Sequence, residues 1–166
     1  MSKIMTPEAT FEGLCLKPLS SYSAKEQQKI LKDVKKIEKK TFPTTEAFDF
    51  DSELKKKNSN LIVAVKEGQC PDTVAYLVYV RIKRLTLLHK ICVVEQERGK
   101  GLAKAMVHSL RLQLEKGGCR TIHLWVDEAR QPARSLYASC GFHQIDSCLD
   151  YYGPGRTGLK LELNLK

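Results

Sequence analysis

The chain has 166 residues, 42% of them hydrophobic, enough for one compact domain with a buried core. Its 28 Lys and Arg against 19 Asp and Glu give a formal charge of +9, a balance that suits polyanions: nucleic acid, ribosomes or the phosphates of a cofactor. No apolar run reaches the length of a membrane span, the N-terminus lacks the apolar centre of a signal peptide, and the six cysteines show neither a C-x-x-C pair nor a metal-ligand spacing. These features predict a protein of the cytoplasm or nucleus that needs no membrane and no metal.

Residues 1–9 read as a flexible N-terminus ahead of a single domain over 10–166. Phe11 to Leu16 predicts a first strand, stopped by Pro18. Ser23 is placed to cap a helix from Ala24 to Lys40, with Ile30, Leu31, Val34 and Ile37 as its apolar face. Seven lysines crowd this helix, but Glu26, Asp33 and Glu38 are interleaved with them. The pattern fits a solvated helix face better than a nucleic-acid site, and no stacking aromatics accompany it. Phe42-Pro43 ends the helix, because the residue before a proline is pushed out of the helical region. A second, weaker helix is predicted over Glu46 to Lys57.

The sheet begins at Leu61. Strands are predicted over Leu61–Val65, Val74–Val80 and Leu85–Val94. The last feeds a glycine turn and then a helix whose apolar period places Ala103, Val107, Leu110 and Leu114 on one face. Gly117-Gly118 stops this helix. A strand over Thr121–Val126 follows, then a short helix over Pro132–Ser139 ended by Gly141, then a final pair of strands, Phe142–Leu149 and Leu159–Leu163. This order predicts one mixed α/β domain without repeats or linkers.

The stretch Ile91-Cys92-Val93-Val94-Glu95-Gln96-Glu97-Arg98-Gly99-Lys100-Gly101-Leu102-Ala103 organises the rest. Two glycines between a strand and a helix let a ligand approach the backbone, and the first N–H groups of a helix have no internal partner. Together with the positive end of the helix dipole they suit an anion, most simply a pyrophosphate. A Rossmann fingerprint is excluded because Lys104 stands where its third glycine belongs, and no segment fits a P-loop. Gln96-x-x-Gly99-x-Gly101 resembles the acyl-CoA signature of the GNAT N-acetyltransferases. Ala133-x-x-Leu136-Tyr137-x-x-x-Gly141-Phe142 resembles a second motif of the same superfamily, on the helix after its fifth strand.

The resemblance covers residues 60–165 well and the N-terminal helices more loosely. It implies a GNAT fold: an α/β single domain whose mixed, mostly antiparallel central sheet is splayed at its fourth and fifth strands and flanked by helices. It implies acetyl-CoA as cosubstrate, with the pyrophosphate on the backbone amides from Arg98 through Gly99, Lys100, Gly101 and Leu102 to Ala103. The pantetheine arm would lie along Ile91, Cys92 and Val93. Where many members carry Asn three residues before Ala133, this chain has Arg130.

The acceptor side is also matched. Phe42-Pro43 resembles the substrate loop of protein N-terminal acetyltransferases, and Tyr151-Tyr152 resembles their covering hairpin. Phe42 as a core plug, Pro43 as a helix stop and two strand-end tyrosines are the plain alternatives. By the same resemblance Tyr137 is the general acid. The base is less direct, because Trp125 occupies the strand position that often holds His or Glu, and an indole cannot accept a proton. His123 is two residues away on the same face; His89 matches the base position of arylalkylamine acetyltransferases and is preferred. The expected reaction moves acetyl to a protein or peptide amine, N-terminal before lysine, by direct attack in a ternary complex. A small-amine (arylalkylamine or polyamine) acetyltransferase is the second reading and a non-catalytic CoA-binding or interaction module the third.

Overall fold

The computed structural model describes residues 9–42, 48–68 and 71–166. Among the described residues eight strands form one mixed sheet in the order β1-β2-β3-β4-β5-β6-β8-β7. They are β1 (Ala9–Phe11), β2 (Leu14–Pro18), β3 (Ser59–Lys66), β4 (Asp72–Ile82), β5 (Leu85–Val93), β6 (Thr121–Asp127), β7 (His143–Cys148) and β8 (Gly158–Asn164). The helices are α1 (Ala24–Thr41), α2 (Phe50–Glu53), α3 (Leu102–Lys116) and α4 (Gln131–Ser139). Among the described residues, no helix is long and apolar enough to cross a membrane.

Two expectations from the sequence need correction. The first strand is a hairpin: Glu12-Gly13 turns the chain, and Phe11 pairs with Leu14. The apolar run across the turn hides this, because both arms of the hairpin are apolar. The predicted helix over 46–57 is only the single turn α2, capped by the Asp49 carboxylate on the Ser52 N–H. Asp49 and Ser52 favour local side-chain bonds over helix propagation, and only Phe50 of that turn reaches the core. The start of the predicted helix, with Pro43, lies outside the described residues, as does most of the predicted N-terminal segment. The helix α1 forms as expected, with a reciprocal capping box between Ser23 and Glu26.

The core has two layers, one on each face of the sheet. Period-2 alternation sends Ile62, Ala64, Leu77 and Tyr79 to one layer, where Met106, Val107 and Leu110 of α3 meet them. Leu61, Val63, Val65, Tyr76 and Val78 go to the other, under Ile30, Val34 and Ile37 of α1 and Phe50 of α2. Since β3 and β4 are covered on both faces, their sequences read as unbroken apolar runs.

All strand pairs but one are antiparallel. The exception, β5 with β6, is joined through α3, as a parallel pair requires. It pairs over only three positions: Leu85 with Thr121, Thr86 with Ile122 and Leu87 with His123. Beyond these the two strands part, and Leu88–Val93 and Leu124–Asp127 border an opening in the sheet. This is the splay expected between the fourth and fifth strands of the family, which are β5 and β6 here because the first strand became a hairpin.

Candidate active site

Strand β5 supplies one wall of the opening, and a bulge decides what it presents. Val78 pairs with Lys90 and Tyr79 with Leu88, so His89 is an extra residue without a partner across the ladder. The bulge turns Leu88, Ile91 and Val93 toward the α3 layer and Cys92 toward the α1 layer. His89 is left exposed with its ring 6.4 Å from that of Phe48. Partial loss of water around the ring holds its pKa below the ordinary imidazole value, against the pull of the Glu53 carboxylate.

A cleft of about 360 Å³ fills the splay. Phe42, His89, Lys90, Ile91 and Val93 line it on the β5 side, and Trp125, Asp127, Arg130, Tyr137, Tyr152 and Arg156 on the β6 side. Tyr137 is half-buried on α4, edge-on to Phe142 with ring centres 5.6 Å apart. Burial pushes its pKa up to about 12, opposed by the nearby Arg130 guanidinium. Its phenol therefore keeps its proton at neutral pH and is a donor.

On the β6 side the cleft is bordered by the turn after β6 and by Tyr152 and Arg156. Asp127, at the end of β6, accepts from the Ala129 N–H at 3.0 Å and from Arg156 Nε and Nη2, both at 3.0 Å. The Ala129 amide first, then Arg156, hold its carboxyl below the usual range although burial opposes them. Arg156 also donates to the Tyr152 carbonyl at 3.3 Å and lies 5.5 Å over the Tyr152 ring. Tyr151 does not line the cleft. It stacks on Trp125 with centroids 4.3 Å apart and planes 13° from parallel.

The glycine turn lies where the sequence places it. Gly99 and Gly101 have φ of 77° and 86°, a region that side chains rarely adopt. A Cβ built at Gly99 would meet nothing within 4 Å, and one at Gly101 would come no closer than 3.8 Å, to Phe11. What requires glycine in the protein itself is therefore the backbone conformation. The free space over the turn is open to a ligand. Gly101 is the N-cap of the 15-residue α3 and brings no side-chain cap to its first N–H groups.

The predicted residues do not all act through side chains. Leu102 is buried in the core at 2% exposure. Cys92 faces the α1 layer and donates weakly to Thr41 Oγ1 at 3.6 Å. Both offer a ligand only backbone atoms. Gln96 and Arg98 border a second groove beside Lys36 and Lys40 of α1, and Arg98 Nε also donates to the Val93 carbonyl at 2.9 Å. Lys100 is exposed and paired with Glu97 at 3.2 Å. Ala103 lines the cleft.

His123 is outside the cleft, because its Nε2 lies 2.8 Å from Glu162 of the neighbouring β8. Arg130, in the usual Asn position, makes no side-chain cap at the start of α4; Asp127 holds that turn through Ala129. Pro43 lies outside the described residues. Among those residues no three His, Cys, Asp or Glu side chains are grouped as a metal ion would need.

The sequence reading missed two parts of the site. One is the Asp127–Arg156 pair, whose partners are 29 residues apart and carry no local signal. The other is Glu38, 4% exposed, which accepts from Tyr76 Oη, from Lys90 Nζ at 2.6 Å and from the Phe48 N–H at 2.8 Å. A signal existed for Glu38: it stands four residues after Val34 and eight after Ile30, on the buried stripe of α1.

Residues 27–142 match the model of the acetyltransferase (GNAT) family. No curated protein sequence matches the chain. Solved structures share the fold at low identity. The ribosomal-protein-S18-alanine N-acetyltransferase of Escherichia coli superposes with a TM-score of 0.74 at 19% identity, over 92% of this chain and 94% of that one. The NatC complex bound to Gag peptide and CoA gives 0.75 at 19%, over 92% and 99%. The spermidine/spermine N-acetyltransferase SpeG of Vibrio cholerae gives 0.68 at 14%, over 92% of each chain. With the splayed sheet, the glycine turn and the family model in agreement, the chain belongs to the GNAT family and is an acetyl-CoA-dependent N-acetyltransferase.

Proposed function

We propose that the acceptor is a protein or peptide amine, an N-terminal α-amine before a lysine. The observation that carries this reading is the acceptor half of the cleft, where Phe42 and Tyr152 line the same opening as His89 and Tyr137. An apolar, aromatic mouth suits a peptide's first side chains. The charge of the lining points the same way. Asp127, the carboxylate of the lining, is already held by Arg156, so the cleft presents no open carboxylate among the described residues to gather the several ammonium groups of a polyamine. An α-amine, with a pKa of about 8, also loses its proton more readily than lysine at about 10.4.

In this reading the backbone amides from Arg98 to Ala103 hold the pyrophosphate of acetyl-CoA, and β5 from Ile91 to Val93 pairs with its pantetheine arm. When bound, acetyl-CoA supplies the thioester that the amine attacks. His89 takes the proton from the acceptor ammonium, directly or through one water, and its lowered pKa keeps it neutral for this task. A backbone N–H of the parted β5 near Val93 meets the developing oxyanion. Tyr137, protonated at neutral pH, returns a proton to the leaving sulfur.

A second reading, a small aryl amine, is favoured by the stacked Trp125 and Tyr151 beside Tyr152. The test is release of free CoA with a panel of N-terminal peptides, lysine peptides, polyamines and aryl amines. Peptides with a free α-amine are expected to give the highest kcat/KM. An aryl amine or polyamine turned over far faster than every peptide would replace this reading with the small-amine one.

A further inference from the structure

The bulge in β5 raises a question of register. If β5 continued regular pairing past Tyr79–Leu88, His89 would stand opposite Val78 and Lys90 opposite Leu77. Residues directly opposite in an antiparallel ladder share a face. Val78 belongs to the layer under α1 and Leu77 to the apolar layer under α3. The regular register would therefore move His89 out of its observed place and into the position opposite Val78 that Lys90 now holds. It would also drive the Lys90 ammonium into the apolar layer, where a charge has no partner. In the observed register Lys90 is opposite Val78 and faces α1, where Glu38 meets it at 2.6 Å.

We propose that the buried Glu38–Lys90 pair is a positioning pair that selects this register, so that the bulge holds His89 at the acceptor half of the cleft. Its side-chain exposures are 5% for Glu38 and 15% for Lys90, so water competes little for the contact. The same carboxylate reaches further. It binds Tyr76 Oη on β4 and the Phe48 N–H just before α2, and the ammonium it fixes lies 3.8 Å from the centre of the Phe42 ring. Four parts of the acceptor side (the end of α1, the chain before α2, β4 and β5) thus converge on one carboxylate. Buried ion pairs are weak sources of stability but effective selectors of register, because the alternative arrangement leaves a charge without a partner. That His89 and Phe42 serve the acceptor rests on the function proposed above; the choice of register does not.

The test compares three proteins with the wild type. Lys90→Met removes the charge and makes both registers tolerable. Lys90→Arg keeps the charge. Glu38→Leu/Tyr76→Phe/Lys90→Met replaces the whole polar group with apolar side chains of similar size and guards against a misfolded single variant. Amide and imidazole NMR signals of β5 report the register, and kcat/KM for the best acceptor reports the consequence. The expected result is doubled or displaced signals for Leu88–Ile91 in both Met-containing proteins, with kcat/KM lowered at least tenfold, and wild-type signals with activity within about threefold for Lys90→Arg. A folded triple variant with wild-type β5 signals and activity within twofold would overturn the proposal. So would a Lys90→Arg protein as impaired as Lys90→Met. Because the NMR reading needs no acceptor, a wrong choice of acceptor class cannot be mistaken for a failure of the register argument.

Discussion

For single residues, the acid and base roles proposed for Tyr137 and His89 agree with their surroundings. Burial keeps the phenol protonated, and partial desolvation keeps the imidazole neutral. Removing the Tyr137 hydroxyl with Phe should lower kcat by about 10²- to 10⁴-fold, the usual worth of a positioned acid. The packing against Phe142 should survive, so acetyl-CoA affinity measured by calorimetry should change little. For His89 the sign is set by the lowered pKa: the neutral base is lost only as pH falls through a value below the ordinary imidazole pKa of about 6.5. The wild-type rate should therefore decline on the acidic side below that value. In His89→Ala this limb should vanish from the kcat/KM profile, while an unaltered profile would assign deprotonation to water.

At the scale of the element, the glycine turn and α3 act as one unit. A left-handed Gly101 starts the helix and leaves its first amides toward open space. Gly101→Glu should remove measurable acetyl-CoA binding for two reasons: a side chain strained at a φ of 86°, and a carboxylate where a phosphate should sit. Circular dichroism should still show a folded protein, since nothing in the core lies within 3.8 Å of the new Cβ. Undiminished calorimetric binding in a folded Gly101→Glu protein would place the pyrophosphate elsewhere. The turn and helix were legible in the sequence because both signals are local: a change of apolar period from 2 to 3.6, and two glycines at the change. The hairpin before α1 was not, because Glu12-Gly13 interrupts an apolar run by only two residues.

At the scale of the molecule, three residue pairs join β5 to β6, so the two halves of the sheet depend on what spans them. Helix α3 does this: Leu110, with no exposed surface, lies in the same layer as Leu77 and Leu88 from one half and Ile122 and Leu124 from the other. Leu110→Ala should cost about 2–5 kcal/mol by lost burial and an unfilled cavity, read as a lower midpoint in urea. Acetyl-CoA should raise the melting temperature of this variant, as any ligand that binds only the folded state does. A loss of stability below about 0.5 kcal/mol would show that Leu110 does not hold the two halves together.

Most of the elements and the glycine turn were legible in the sequence, since periodicity, capping residues and glycine positions are properties of neighbouring residues; the β1–β2 hairpin and the shortness of α2 were not. The sequence also brought His89, Tyr137, Phe42 and Tyr152 into consideration, all of which line one cleft. Which of the named residues face that cleft depends on contacts made in the folded chain. Cys92 and Leu102 turn inward because their strand and helix faces meet a core layer, and Tyr151 is taken up by Trp125. The Glu38–Lys90 and Asp127–Arg156 contacts join residues 52 and 29 positions apart. No local pattern encodes such contacts: they exist only once the sheet has assembled and a buried charge must find its partner.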